Sequence, residues 1–405
     1  LADAWRLALR TDGSVAAARG QRRAADAERS AATRQHWPTL DVGGGYTQLN
    51  QAPILDIATP SGQLQSPKIW KHDGYATASA DLSLPLWTSG RIKAAIGAAS
   101  AGARGAAAVE AMTDADVKLA VAAAYVDVFR ARRALAVADS ALASLKAHAD
   151  DVDVMYRKQA VAKSDLLAAQ VALANATEER LRAANALDIA DAAYDRWVGK
   201  PLDRVPDLAA PPPAAAADGP VDELVAQAVA HRPELAALDA ERSAFEARAR
   251  AERAQTLPQI ALHAGYNHFD NQILDRQNFA SVGVTVQWRL FDSGQVRERV
   301  SALESRAGAA LRQGEDLRSK IALEVRVAVL NRDEAAARLR AAGLAVAEAE
   351  ENVRVADELY RSGLGTNTQV LEAEALRVTA LTNRDTAQYD LLISGYRIER
   401  ASGEL

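Results

Sequence analysis

Between Ala280 and Leu290, every second position is apolar. Ala280, Val282, Val284, Val286, Trp288 and Leu290 alternate with Ser281, Gly283, Thr285, Gln287 and Arg289. A period of two predicts a strand with one apolar and one polar face. Ala76, Ala78, Ala80, Leu82, Leu84 and Leu86 stand likewise against Thr77, Ser79, Asp81 and Ser83. Ile260, Leu262, Ala264 and Tyr266 oppose Gln259, His263 and Asn267, while Trp37–Tyr46 is diluted by Gly43, Gly44 and Gly45. Just past Leu86 and Leu290 the period changes. Val296, Val300, Leu303, Ala307, Ala310, Gly314, Leu317 and Ile321 follow steps of four and three, the seam of a left-handed coiled coil. Ile92, Ile96, Ala99, Ala103 and Ala106 occupy equivalent places after the earlier strand. Each helical run continues to about Tyr156 or Tyr360, roughly 66 residues or about 100 Å if straight. Knobs this small suit many helices packed closely side by side, where an isolated two-stranded coil would prefer Leu.

The two patterns are halves of one repeat. Gly90 in "TSGR" matches Gly294 in "DSGQ" (294 − 90 = 204), and Tyr156 in "YRKQAVAKSDLLAAQ" matches Tyr360 in "YRSGLGTNTQVLEAE" (360 − 156 = 204). Upstream, Pro38 pairs with Pro258 at an offset of 220, and the longer loop of the first half absorbs the difference of 16. A repeat near 200 residues is too long for a solenoid unit and reads as a duplicated half-molecule. The expected organisation is a first repeat over 1–200, a Pro/Ala-rich linker over 201–220 and a second repeat over 221–405. Each repeat holds a short helix, a β-hairpin (about 38–88 and 258–291) and long helices (about 90–197 and 294–400).

Composition narrows the class. The chain has 405 residues, is 49% hydrophobic with only 5% aromatic residues, and carries a formal net charge of −5. An Ala-rich chain poor in Phe favours long, close-packed helices, and without a basic block a nucleic-acid partner is not expected. No cysteine is present, which excludes disulfides and thiolate metal sites. The chain opens at Leu1 without a signal peptide's charged and apolar regions, as expected of a processed or trimmed product. No apolar run reaches the length of a transmembrane helix. Strands remain able to cross a membrane.

Strands of about ten residues, apolar on one side, suit a membrane barrel with a wet interior, and Tyr46, Trp87, Tyr266, Trp288 and Phe291 near their ends suit interfacial girdles. A soluble sandwich has the same alternation; the long helices favour the barrel, because no globular domain needs helices of that length. Four strands cannot close a barrel, and open edges in lipid cost several kcal/mol per unpaired group. A membrane-spanning sheet of this kind must therefore be completed by further copies. Ser-Gly at 89–90 and 293–294 would then let the chain pass from strand to helix.

The duplicated halves, the "LWTSGR" and "LFDSGQ" junctions, "HRPEL" (His231–Leu235) and the paired "YR" turns together resemble the TolC-like outer membrane efflux family, over essentially the whole chain. The resemblance implies a mainly α fold with a small β portion. In it, four strands per chain join a trimeric twelve-stranded β-barrel, continued by a long α-helical barrel. It implies a homotrimer in the outer membrane of a Gram-negative bacterium, in contact with its lipid and with a large periplasmic portion. Its partners would be a periplasmic adaptor (membrane fusion protein) and an inner-membrane pump of RND, ABC or MFS type. The implied function is the exit duct of a tripartite efflux pump that passively conducts small molecules such as drugs. The outer-membrane component of a type I protein secretion system is the alternative within the family, and a non-transporting coiled-coil scaffold is the alternative outside it.

By position, the resemblance places Gln369 and Glu372 at the pore constriction and Asp165 and Tyr360 in the latch that holds the gate shut. Gln159, Ala160 and Val161 in the first turn, and Gly363, Leu364 and Gly365 in the second, would face the adaptor. The chain departs from the family pattern in two places, and its two turns differ from one another. Gly365 replaces a basic latch residue, Gln369 replaces a carboxylate, and Gln159 stands where the second turn has Gly363. No catalysis, cofactor or metal is expected. His263 and His268 fall on opposite strand faces, "GGG" at 43–45 precedes no helix, and no G-x-S-x-G occurs.

Overall fold

A computed structural model describes residues 1–405 except 59, 61, 71, 213–218 and 272. The first half runs α1 (Ala2–Thr11), α2 (Gly13–Arg34), β1 (Thr39–Gln48), β2 (Ile57–Ala58), β3 (Leu64–Gln65), β4 (Gly74–Trp87), α3 (Arg91–Arg157) and α4 (Lys163–Val198). The second runs α5 (Val221–His231), α6 (Pro233–Ala254), β5 (Gln259–Phe269), β6 (Asn278–Gln287), α7 (Gln295–Arg361) and α8 (Asn367–Ser402). Helices α3 and α7 have 67 residues each, and their starts are 204 apart (295 − 91). Helices α4 and α8 have 36 residues each at the same spacing (367 − 163). The small β2–β3 ladder belongs to the longer loop of the first half. Of the linker 201–220, residues 213–218 lie outside the described residues.

The chain forms two compact units, which cut across the sequence halves. One holds 22–105 and 238–313; the other holds 1–21, 106–237 and 314–405.

The first of these units contains the sheet, antiparallel in the order β1-β4-β5-β6. Its register assembles one continuous apolar face. Leu40 lies opposite Leu82, Leu82 opposite Ala264, and Ala264 opposite Val282; one row on, Leu84, Leu262 and Val284 follow. The other face carries Thr39, Ser83, His263 and Gly283 in one row and Asp41, Asp81, Gly265 and Ser281 in the next. Val282 is 76% exposed and Val284 60%; among the described residues nothing covers this apolar side. Strands β1 and β6 are the edges, each with one side unpaired.

Two details depart from the alternation. The ladder shifts between Pro85 and Trp87, so Trp87, not Leu86, stands opposite Ile260. Pro85 has no N–H to give the ladder, and a bulge absorbs the gap. The last strand ends at Gln287, short of Leu290, because Gln259 is the first β5 residue able to pair with it. Residue 258 is proline and cannot extend the ladder; the Trp288 indole instead donates to Thr256 O at 3.0 Å.

At both strand-to-helix junctions, Ser and Gly take left-handed backbone: Ser89 and Gly90 at φ 49° and 85°, Ser293 and Gly294 at 56° and 80°. The Ser89 hydroxyl anchors its turn on Pro258 O at 2.6 Å, and Asp292 accepts from the Gly294 and Val296 amides. A Cβ at Gly90 or Gly294 would meet nothing within 4 Å. Substitution there therefore costs only backbone strain. G90A and G294A are each expected to lose about 1–2 kcal/mol, read as a lower midpoint in chemical denaturation.

In α7, each residue of the seam from Val296 to Ile321 is buried or half-buried, and the residues between them are exposed. Val296, Val300 and Leu303 pack on Ala249 of α6. In the other unit, Ile321, Val325 and Val329 pack with Leu224 and Ala228 of α5 and Ile398 and Ala401 of α8. The counterpart cluster sets Ala4 and Ala8 of α1 against Val117, Val121 and Tyr125 of α3 and Tyr194 of α4. Tyr125 and Tyr396 fasten the linker, donating to Ala209 O and Pro212 O, each at 2.7 Å.

"HRPEL" forms an ion network in the same unit. Arg232 ends α5 and Pro233 opens α6, where a missing N–H costs nothing. Glu234 accepts from Arg232 at 2.8 Å and from Arg400 at 2.7 Å. Arg232 also reaches Glu324, and Arg400 reaches Asp116, both at 2.7 Å.

Candidate functional site at the helix turns

Both long helical hairpins turn within one apolar cluster. Ala149 and Val152 of α3, Leu166 and Ala169 of α4, Ala356 and Tyr360 of α7, and Val370 and Ala373 of α8 pack together. The two turns have similar backbone form. Gln159 N donates to Tyr156 O and Ala160 N to Met155 O; Gly363 N donates to Tyr360 O and Leu364 N to Leu359 O. Each turn needs one left-handed residue, Gln159 at φ 57° and Gly363 at φ 77°. Glycine adopts that region freely, whereas glutamine is strained there.

Tyr360 is buried, and its hydroxyl has no hydrogen-bond partner among the described residues. Burial, then the charges of Asp165 and Asp151, push its pKa up. Asp165 is half-buried beside it. Within the chain the link between their elements runs instead through Asn367, whose amide donates to Asp165 O at 3.1 Å. The Asn367 Oδ1 in turn lies 2.7 Å from His148 Nε2, and the His148 ring sits 5.2 Å from that of Tyr360. With Nε2 donating to Asn367, His148 Nδ1 is left buried without a partner. Arg361 adds an ion pair to Asp151 at 3.0 Å. All four helices are thus tied at the turns.

Gln369 and Glu372 lie in the first turns of α8, three residues apart on one face, and both are exposed. Gln369 has a second occupation: it closes a capping box. Thr366 Oγ1 accepts from the Gln369 amide at 3.3 Å, and Gln369 Oε1 accepts from Thr366 N at 2.9 Å. Gln159, Ala160, Gly363 and Leu364 are exposed; Val161 and Gly365 are half-buried. A side chain at Gly365 would crowd Tyr360 N at 3.0 Å and the Leu359 carbonyl carbon at 3.1 Å. The turn would have to give by a few tenths of an ångström to take a side chain there.

His148 and Asn367 escape a reading of the sequence by pattern. The signal that marks them is the repeat itself, since at the offset of 204 His148 corresponds to Asn352 and Asn367 to Lys163. The buried pair exists in one combination only, across the two repeats.

A family model described as "Outer membrane efflux protein" matches residues 224–404. No curated protein sequence matches the chain. Among solved structures, the outer membrane protein VceC of Vibrio cholerae is similar at a TM-score of 0.83 and 18% identity, covering 99% of this chain and 95% of that one. The CmeC outer membrane channel of Campylobacter jejuni has a TM-score of 0.81 at 16% identity, covering 99% and 85%. The open state of the MtrE outer membrane channel of Neisseria gonorrhoeae has 0.78 at 17%, covering 99% and 88%. Residues 224–404 are thus similar to the outer membrane efflux protein family, and the chain as a whole has the TolC-like fold.

Proposed function

We propose that the chain is the outer-membrane exit duct of a tripartite efflux pump, conducting small molecules passively from the periplasm to the exterior. The sheet carries this reading: one face is apolar and uncovered, the other is polar, and both edges are free. In lipid the free edges must pair, and three copies joined edge to edge supply twelve strands in one barrel. The apolar face then meets lipid and the polar face lines the passage. No helix among the described residues is long and apolar enough to cross a membrane, so the sheet is the spanning element in this reading. The long helices continue the passage into the periplasm, where an adaptor and an inner-membrane pump engage the turns around Gln159–Val161 and Gly363–Gly365. Purified protein should require detergent, run as a heat-labile trimer and conduct ions in planar bilayers. A water-soluble monomer without conductance would overturn the proposal.

The gate sits at the turns in this reading. Three Glu372 carboxylates around the axis focus a negative potential at the constriction, with Gln369 beside them. Tyr360 and Asp165, through the His148–Asn367 link, hold the helix ends closed. E372K should lower the cation-to-anion permeability ratio, measured as a reversal potential in a salt gradient. An unchanged potential would remove Glu372 from the pore.

A further inference from the structure

On its polar face, beside the helices, the sheet carries a hollow whose lining contains no carboxylate. The hollow is about 590 Å³ and is bounded among others by Arg34, Trp37, Arg91, Gln259 and His263. A second hollow of about 270 Å³ adjoins it, sharing Arg91, Gln259 and Gln287 and adding Arg289; it too has no acidic residue in its lining. All these residues belong to one compact unit. Arg34 ends α2, Arg91 opens α3, and Arg289 follows β6. Arg34 and Arg91 thus line the first hollow, Arg91 and Arg289 the second, and Arg91 joins the two into one basic depression.

None of the three is in an ion pair among the described residues. Arg91 Nε donates only to the neutral Gln259 amide, at 3.4 Å. Other arginines of the chain are matched to carboxylates, among them Arg130 to Asp390, Arg253 to Glu304, Arg338 to Asp390 and Arg354 to Glu351. Acid does lie nearby. Asp41 and Asp81 stand opposite one another, two residues beyond Thr39 and Ser83 and about 7 Å farther along the strands. They bound the basic region without lining it. Gathered, uncompensated positive charge costs self-repulsion, which an anion relieves, and planar guanidiniums suit carboxylate, sulfonate and phosphate oxygens. Trp37, 70% exposed, offers a flat apolar surface beside them.

We propose that this depression is a binding site for organic anions with a flat aromatic body, the anionic groups held by Arg34, Arg91 and Arg289 and the body laid against Trp37. Its role as a way-station for exported solutes rests on the exit-duct reading, in which the polar face lines the passage. The binding itself needs only the one unit.

Pyranine, a pyrene trisulfonate, is the probe, titrated at low salt into the full chain in neutral detergent and followed by fluorescence anisotropy. Saturable binding that weakens as NaCl is added is expected. The R34Q/R91Q/R289Q protein should bind at least about tenfold more weakly, while R34K/R91K/R289K stays within about threefold of the unaltered chain. Should the glutamine triple variant fail to assemble, R289Q alone, at an exposed position, should still weaken binding about twofold or more. Equal binding by the neutral variants, or no saturable binding by the unaltered chain, overturns the proposal. Bilayer conductance separates the two readings: conduction without pyranine binding sinks the anion site alone, and pyranine binding without conduction sinks the duct.

Discussion

An E234A protein is expected to lose about 3 kcal/mol of stability. Glu234 is the carboxylate shared by two buried arginines; the side chains of Arg232 and Arg400 are only 6% and 8% exposed. Removing it leaves two cations facing one another, each with one remaining, half-exposed carboxylate, Glu324 or Asp116. The contrast is E324A: that partner is half-exposed to solvent, and its loss should cost no more than about 1 kcal/mol. Acid offers a second measurement. Burial alone would raise the Glu234 pKa, but hydrogen bonds from Arg232 and Arg400 outweigh it and bring it down from the usual 4.5 to about 2. A lowered pKa stabilises the folded chain above its unfolded value, and the gain is lost as the pH falls through the folded one. The stability difference between the unaltered chain and E234A should hold above pH 4.5 and shrink toward pH 2. Circular dichroism during acid titration reads it; a gap independent of pH would show that Glu234 acts by packing.

The second large effect concerns the uncovered face of the sheet. V284K should abolish the heat-labile trimer and its insertion, whereas T285K, one residue on, should leave both intact. Val284 lies in the row Leu84–Leu262–Val284 on the apolar side; Thr285 lies in the row of Pro85 and Ala261 on the other. A lysine on the lipid face of a barrel costs about 2–4 kcal/mol at mid-membrane, repeated in every copy, while one facing water costs little. Equal behaviour of the two variants in detergent-resistant trimer yield would mean that lipid does not cover this face.

How far the sequence speaks depends on whether a feature is local. The α7 seam repeats at short range, and every one of its residues from Val296 to Ile321 is turned inward. The junctions could be read because Ser-Gly recurs where the period changes, and the left-handed backbone at both explains the choice. Strand ends were less legible: Trp288 and Leu290 keep the alternation, yet pairing stops where Pro258 removes the partner. Least legible were the buried polar links. Arg232 and Arg400 meet through Glu234, and Arg400 lies 166 positions from Glu234. His148 and Asn367 are 219 apart. No periodicity reports such pairs. At the turns, position alone marked Gln369 as an amide in place of a carboxylate; the capping box shows a local task that the amide also performs.

That box has an evolutionary side. Its geometry asks only for an oxygen acceptor at residue 369, and an acid serves as well as an amide. A mutation to glutamate would leave the start of α8 as firm as before while setting a new negative charge one turn from Glu372. The electrical character of this end of the helices can therefore drift between neutral and acidic with no toll on folding.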